Sequence, residues 1–78
     1  MTLSEATSVP VNSTLLASVT YDASQWLLQL EFCDGAIYCY FAVPAAIHEG
    51  LLAADSKGSY FNRRIRSRFQ HALLSRPR

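Results

Sequence analysis

Two tyrosines separated by one residue, Tyr38 and Tyr40, are the side chains of this 78-residue chain best suited to recognition chemistry. On an extended strand that spacing projects both rings from one face. Accessible rings stack nucleobases at roughly 1–3 kcal/mol per base. The same pair can instead cover the back of a thin sheet, or bury against a second copy of the chain. A second candidate is Ser56-Lys57-Gly58-Ser59. At the start of a helix its backbone N–H groups, the helix dipole and the lysine together favour an anion, and glycine allows close approach. The plain alternative is helix termination at Gly58 and capping by Ser59. The stretch is not a Walker A loop, because the earlier glycine and its spacing are missing, so nucleotide hydrolysis is not implied.

The charges are segregated along the chain. All 6 acids (Glu5, Asp22, Glu31, Asp34, Glu49, Asp55) precede all 7 bases (Lys57, Arg63, Arg64, Arg66, Arg68, Arg76, Arg78). The formal net charge of +1 therefore joins an acidic first part to a basic last part. Such asymmetry points to a polyanionic or acidic partner for the basic end, or to a basic segment packed near acids elsewhere in the fold. Glu31, placed opposite Tyr38 by the expected strand pairing, would repel phosphate there.

Catalytic and metal chemistry find little support. His48 and His71 are lone histidines that read as surface or packing residues. His48 and Glu49 are neighbours in sequence and do not share a helix face. No serine or cysteine has a base and an orienting partner at informative spacing, so the chain is not expected to be an enzyme. Cys33, Cys39, His48 and His71 lack metal-ligand spacing, and neither a metal nor a cofactor is expected. Two cysteines without a basic, apolar leader suggest reduced thiols in a cytoplasm. No run approaches the ~18 apolar residues of a membrane span, so no membrane partner is expected.

The elements that must position these residues are those of one small domain, expected over residues 12–74. Residues 1–11 read as a flexible arm and 75–78 as a basic tail that swings to join either group of arginines. A β-prone segment covers Thr14 to Tyr21, with turn chemistry in Tyr21-Asp22-Ala23-Ser24. Trp26, Leu28, Leu30 and Phe32 then alternate with Gln25, Leu27, Gln29 and Glu31, the period of a strand with one dry face. Asp34-Gly35 signals a two-residue hairpin turn, and the return strand runs from Ala36 to Val43. That turn pairs Phe32 with Ile37, Leu30 with Cys39, Leu28 with Phe41 and Trp26 with Val43, all apolar and on one face. Tyr38 and Tyr40 then fall on the opposite face, with Gln29 and Glu31, and Cys33 and Cys39 point to opposite sides and do not bridge.

Val43-Pro44 ends the strand and opens a helix with an apolar stripe of Ile47, Leu51 and Ala54, weakened by Gly50 at about 1 kcal/mol relative to alanine. Ser59 caps a second helix, Tyr60 to about Leu73, whose face carries Phe61, Ile65, Phe69 and Ala72. On that helix Arg64 and Arg68 flank the apolar stripe on one side, Arg66 on the other, and Arg63 points away. The expected fold is α+β: a three-stranded antiparallel meander followed by two helices packed on the face of Trp26, Leu28, Leu30, Phe32, Ile37, Phe41 and Val43.

The order of these features resembles the KTSC domain, a short module at the C-terminus of some lysyl-tRNA synthetases. The resemblance rests on Tyr21-Asp22, Gly35, Tyr38-Cys39-Tyr40, Val43-Pro44, the block Ala54-Asp55-Ser56-Lys57-Gly58-Ser59-Tyr60-Phe61-Asn62, and Ile65-Arg66 with Phe69. It covers about residues 12–71. Phe69 stands where the family pattern suggests a tyrosine, and Phe41-Ala42 replaces a more glycine-like approach to Val-Pro. The resemblance carries no assigned activity; occurrence beside a tRNA-charging enzyme suggests RNA. The expected function is a small non-catalytic module binding RNA through its basic second helix. Lys57, Gly58, Ser59, Arg63, Arg64, Arg66 and Arg68 would contact phosphates and Tyr38 and Tyr40 would stack bases. The alternative is a protein-interaction or self-association module using the aromatic sheet face or an edge strand.

Overall fold

A computed structural model describes residues 8–78, and residues 1–7 of the expected arm lie outside the described residues. The chain forms β1 (Ser8–Pro10), β2 (Leu16–Asp22), β3 (Leu27–Phe32), β4 (Ile37–Tyr40), α1 (Ala45–Ala53), α2 (Lys57–Arg64) and β5 (His71–Ser75). The sheet has 5 strands in the order β1-β2-β3-β4-β5, not the expected three. Every neighbouring pair is antiparallel. The meander and two helices fit the α+β class, with one strand added at each edge.

The turn between β2 and β3 is organised by Asp22. Its carboxylate accepts from the Ser24 backbone N–H at 3.0 Å, the Ser24 hydroxyl at 2.6 Å and the Gln25 amide at 2.8 Å. The donors from Ser24, then Gln25, hold its carboxyl below the usual range. Trp26 follows with φ 55° and is 52% exposed, so it leaves the strand and the expected core. A bulky residue with positive φ cannot continue a pleated strand.

The register of the second hairpin differs by one residue from the expected one. Leu28 pairs with Tyr40, Gln29 with Cys39, Leu30 with Tyr38 and Glu31 with Ile37. A two-residue turn of the expected type needs positive φ at both centres, but of Asp34 and Gly35 only Gly35 adopts it, at φ 96°. The Gly35 N–H donates to Phe32 O at 2.9 Å, and the Phe32 N–H to Ala36 O at 2.8 Å. Asp34 Oδ1 accepts the Ala36 N–H at 3.0 Å. The loop is therefore three residues long, closed by glycine in the bulge position.

With a side-chain period of two, this shift turns β4 over. Tyr38 and Tyr40 join Leu28 and Leu30 on the helix-bearing face, while Ile37 and Cys39 join Gln29 and Glu31 behind it. The buried cluster is Leu16, Val19, Leu28, Leu30, Tyr40, Val43, Leu51, Phe61 and Ile65. Leu28, Leu30 and Val43 occupy the expected core; Trp26, Ile37 and Phe41 do not, and Phe32 packs at its margin. Both cysteines are free, Cys33 exposed and Cys39 buried.

Pro44 caps α1 from an extended conformation and contributes no side-chain hydrogen bond. The helices meet where the Tyr60 hydroxyl donates to Ile47 O at 3.1 Å. A Cβ on Gly50 would collide with that hydroxyl, so the glycine that weakens α1 is the one that lets α2 approach.

The expected second helix divides in two. Helix α2 stops at Arg64, and the N–H groups of Ile65 and Arg66 both turn back to Phe61 O, at 3.0 and 2.9 Å. The chain then reverses and runs as β5 beside β4, pairing Tyr40 with His71, Cys39 with Ala72 and Tyr38 with Leu73. Without β5, the ladder groups beside buried Cys39 and Tyr40 would lack partners. Satisfying buried backbone overrides the helical period of Ile65, Phe69 and Ala72.

Candidate nucleic-acid interface

The inverted β4 brings four aromatic rings to one place. Tyr38 and Tyr40 project from β4, Phe32 from the end of β3 and Phe61 from α2. Phe32 meets Tyr38 edge-on at 5.7 Å between centroids and Phe61 at 5.3 Å. Tyr40 meets Phe61 at 5.8 Å and 79°. These edge-to-face contacts are the arrangement that aromatic quadrupoles favour. The rings line a cleft of about 490 Å³ together with Leu15, Asn62, Arg66 and His71.

Of its polar side chains, Asn62 comes from α2 itself, and Arg66 and His71 from the chain reversal that follows it. The Arg66 N–H bonded to Phe61 O fixes the start of that reversal beside the cleft. His71, the first residue of β5, places its ring 5.6 Å from Tyr38 and 5.3 Å from Tyr40. Tyr40 is 4% exposed, and burial foremost, then the neighbouring Tyr38, pushes its phenol up to about 12 against the opposing pull of Arg66. The cleft thus holds a neutral phenol and a guanidinium, and no carboxylate lines it. Glu31, expected to repel phosphate beside Tyr38, instead accepts the Ser18 hydroxyl at 3.0 Å from behind the sheet.

The other expected site residues do not gather there. Lys57 Nζ donates to Leu52 O at 3.1 Å and Ala54 O at 3.0 Å, closing the end of α1. Ser59 is not the cap: Ser56 is, its hydroxyl accepting the Ser59 N–H at 3.2 Å. Gly58 lies inside α2, against Leu15 of the cleft wall. The Ser56–Ser59 stretch is thus a capped helix start whose lysine is engaged. Arg63 and Arg64 occupy the last turn of α2, where cations suit the helix dipole. Arg68 is tied to this turn by Nε donating to Arg63 O at 3.0 Å, and all three are exposed. Arg78 does not swing freely: its N–H donates to Asp34 O at 2.8 Å and its side chain packs over Gly35.

Phe32, Phe61, Asn62 and His71 are cleft residues that sequence reasoning assigned elsewhere or passed over. Phe61-Asn62 did stand in the block that carries the family resemblance. His71 gave no such signal, because its role depends on β5. Among the described residues no group of three or more His, Cys, Asp or Glu gathers to hold a metal. No described helix is long and apolar enough to cross a membrane.

The profile of the KTSC domain matches residues 12–69. A protein of Tsukamurella paurometabola is 37% identical over 65 residues, covering 83% of this chain and 97% of that protein. A lysine–tRNA ligase of Trichormus variabilis is 40% identical over 55 residues, which are 70% of this chain but 10% of the ligase. Among solved structures, the crystal structure of a KTSC domain protein from Yersinia pestis superposes with a TM-score of 0.87 at 28% identity, covering 90% of this chain and 99% of that one.

Proposed function

The chain belongs to the KTSC family, and from that premise we propose that it is a non-catalytic module binding single-stranded RNA beside the aromatic cleft. The observation that carries this reading is the composition of the cleft rim. Arg66 and His71 line it, no carboxylate does, and Arg63, Arg64 and Arg68 are exposed in the adjoining turn. Arginines spaced around a chain reversal suit a flexible strand, whose phosphates adapt to them. Similarity to a segment of lysine–tRNA ligases supports RNA as the polyanion. With Lys57 occupied by carbonyls, the phosphate contacts fall to these arginines.

About four contacts to a single strand give a log–log salt slope near −3, from roughly 0.7 per contact. Fluorescence anisotropy of a labelled RNA decamer across a salt series measures that slope. Arg64→Ala with Arg68→Ala weakens binding for all sequences alike, because phosphate contacts carry no base information. Absence of binding at low salt contradicts the reading. The second reading, self-association, is favoured by one observation: β5 is an edge strand with Leu73 and Leu74 exposed. A concentration-dependent dimer without RNA binding would select it.

A further inference from the structure

We propose that the cleft receives one unpaired nucleobase, inserted edge-first from a strand whose phosphates lie on the arginines; this rests on the RNA-binding reading above. Size is the first argument. A volume of about 490 Å³ lies within the ~300–1,000 Å³ of sites that enclose one small ligand, which suits a single nucleotide and not a stacked run.

The second argument is the chemistry of the walls. Phe32, Tyr38 and Phe61 offer ring faces or edges, and Tyr40 closes the floor. Phe32–Tyr38, Phe32–Phe61 and Tyr40–Phe61 pack edge-to-face and Tyr38–Tyr40 are tilted by 35° at 6.4 Å, so none of these contacts is a parallel stack. Asn62 adds an amide with both donor and acceptor atoms, which pairs with a base edge. Arg66 offers a planar cation able to lie over a base or to fork onto its phosphate.

Pairing state follows from the geometry. A base can enter only if it has left its stack, so an unpaired strand gains this contact and a continuous duplex does not, its bases being inaccessible to such walls. The sheet's reverse face cannot serve instead, since Glu31 and Gln29 occupy it beside Ile37 and Cys39.

The test compares three probes of equal length by anisotropy with the full chain: a single-stranded RNA decamer, a decamer of the same backbone with every base removed, and the decamer annealed to its complement. The proposal expects the base-bearing strand to bind about tenfold tighter than the abasic one, with the duplex no tighter than the abasic strand. Tyr38→Leu, which keeps apolar volume but removes the ring, should bring the ratio of base-bearing to abasic binding close to one, and a ratio still at about tenfold overturns insertion against this ring. Equal binding of the base-bearing and abasic strands overturns base insertion and leaves RNA binding standing. Tightest binding of the duplex also overturns insertion. No binding of any probe overturns the reading on which the proposal rests.

Discussion

The ring of Tyr40 meets that of Phe61 at 5.8 Å and an interplanar angle of 79°, so one contact both locks α2 to the sheet and forms the floor of the cleft. The floor of the cleft is therefore built from core residues, and its shape is fixed by the packing that stabilises the domain. A cleft with such a floor is preorganised: the rings that form it have little side-chain entropy left to lose.

The buried phenol gives this contact a pH signature. Tyr40 ionises near 12 in the folded chain, raised from the ordinary 10.0 by burial foremost. The native state thus holds the proton more tightly than the unfolded chain. Its contribution is complete below about pH 10 and is lost as pH rises through about 12. Chemical unfolding measured from neutral pH to about 12 should show stability of the parent chain falling more steeply above pH 10 than that of Tyr40→Phe. Parallel curves would contradict the assignment.

Ala42 occupies the left-handed region at φ 58°. A Cβ makes that conformation costly by roughly 1–2 kcal/mol, while glycine adopts it freely but gives the unfolded chain more entropy. Because Ala42 is exposed, its methyl group contributes little packing. Ala42→Gly should therefore raise stability by up to about 1 kcal/mol, read as a higher melting temperature. A lower one would contradict the strain.

The sheet was legible where local signals act alone, and of the cleft residues Tyr38, Tyr40 and Arg66 were singled out but not their meeting in one place. Alternation through Leu28, Leu30 and Phe32 identifies β3 and its dry face directly. The Asp34-Gly35 signal located the hairpin but not its loop length, and one residue in that loop decides which face of β4 carries the tyrosines. Ile65, Phe69 and Ala72 keep helical spacing, yet the unpaired edge of β4 draws residues 71–75 into a strand. The glycine-like approach expected before Val43-Pro44 does correspond to a left-handed residue, Ala42. Phe61-Asn62 and Arg66 could be marked from the residues that carry the family resemblance, whereas His71 reaches the cleft only through a chain reversal no local pattern encodes.

We propose the cleft of Phe32, Tyr38, Tyr40, Phe61 and Arg66 as the RNA-binding surface. Titration of the isotopically labelled chain with a single-stranded RNA decamer, followed by NMR of ring, amide and guanidinium signals, tests it most directly. The largest shifts are expected on Tyr38, Phe61, Asn62, Arg66 and His71, with smaller ones on Arg63, Arg64 and Arg68. Shifts confined to Trp26 and Phe41, or to Lys57, Gly58 and Ser59, would contradict it.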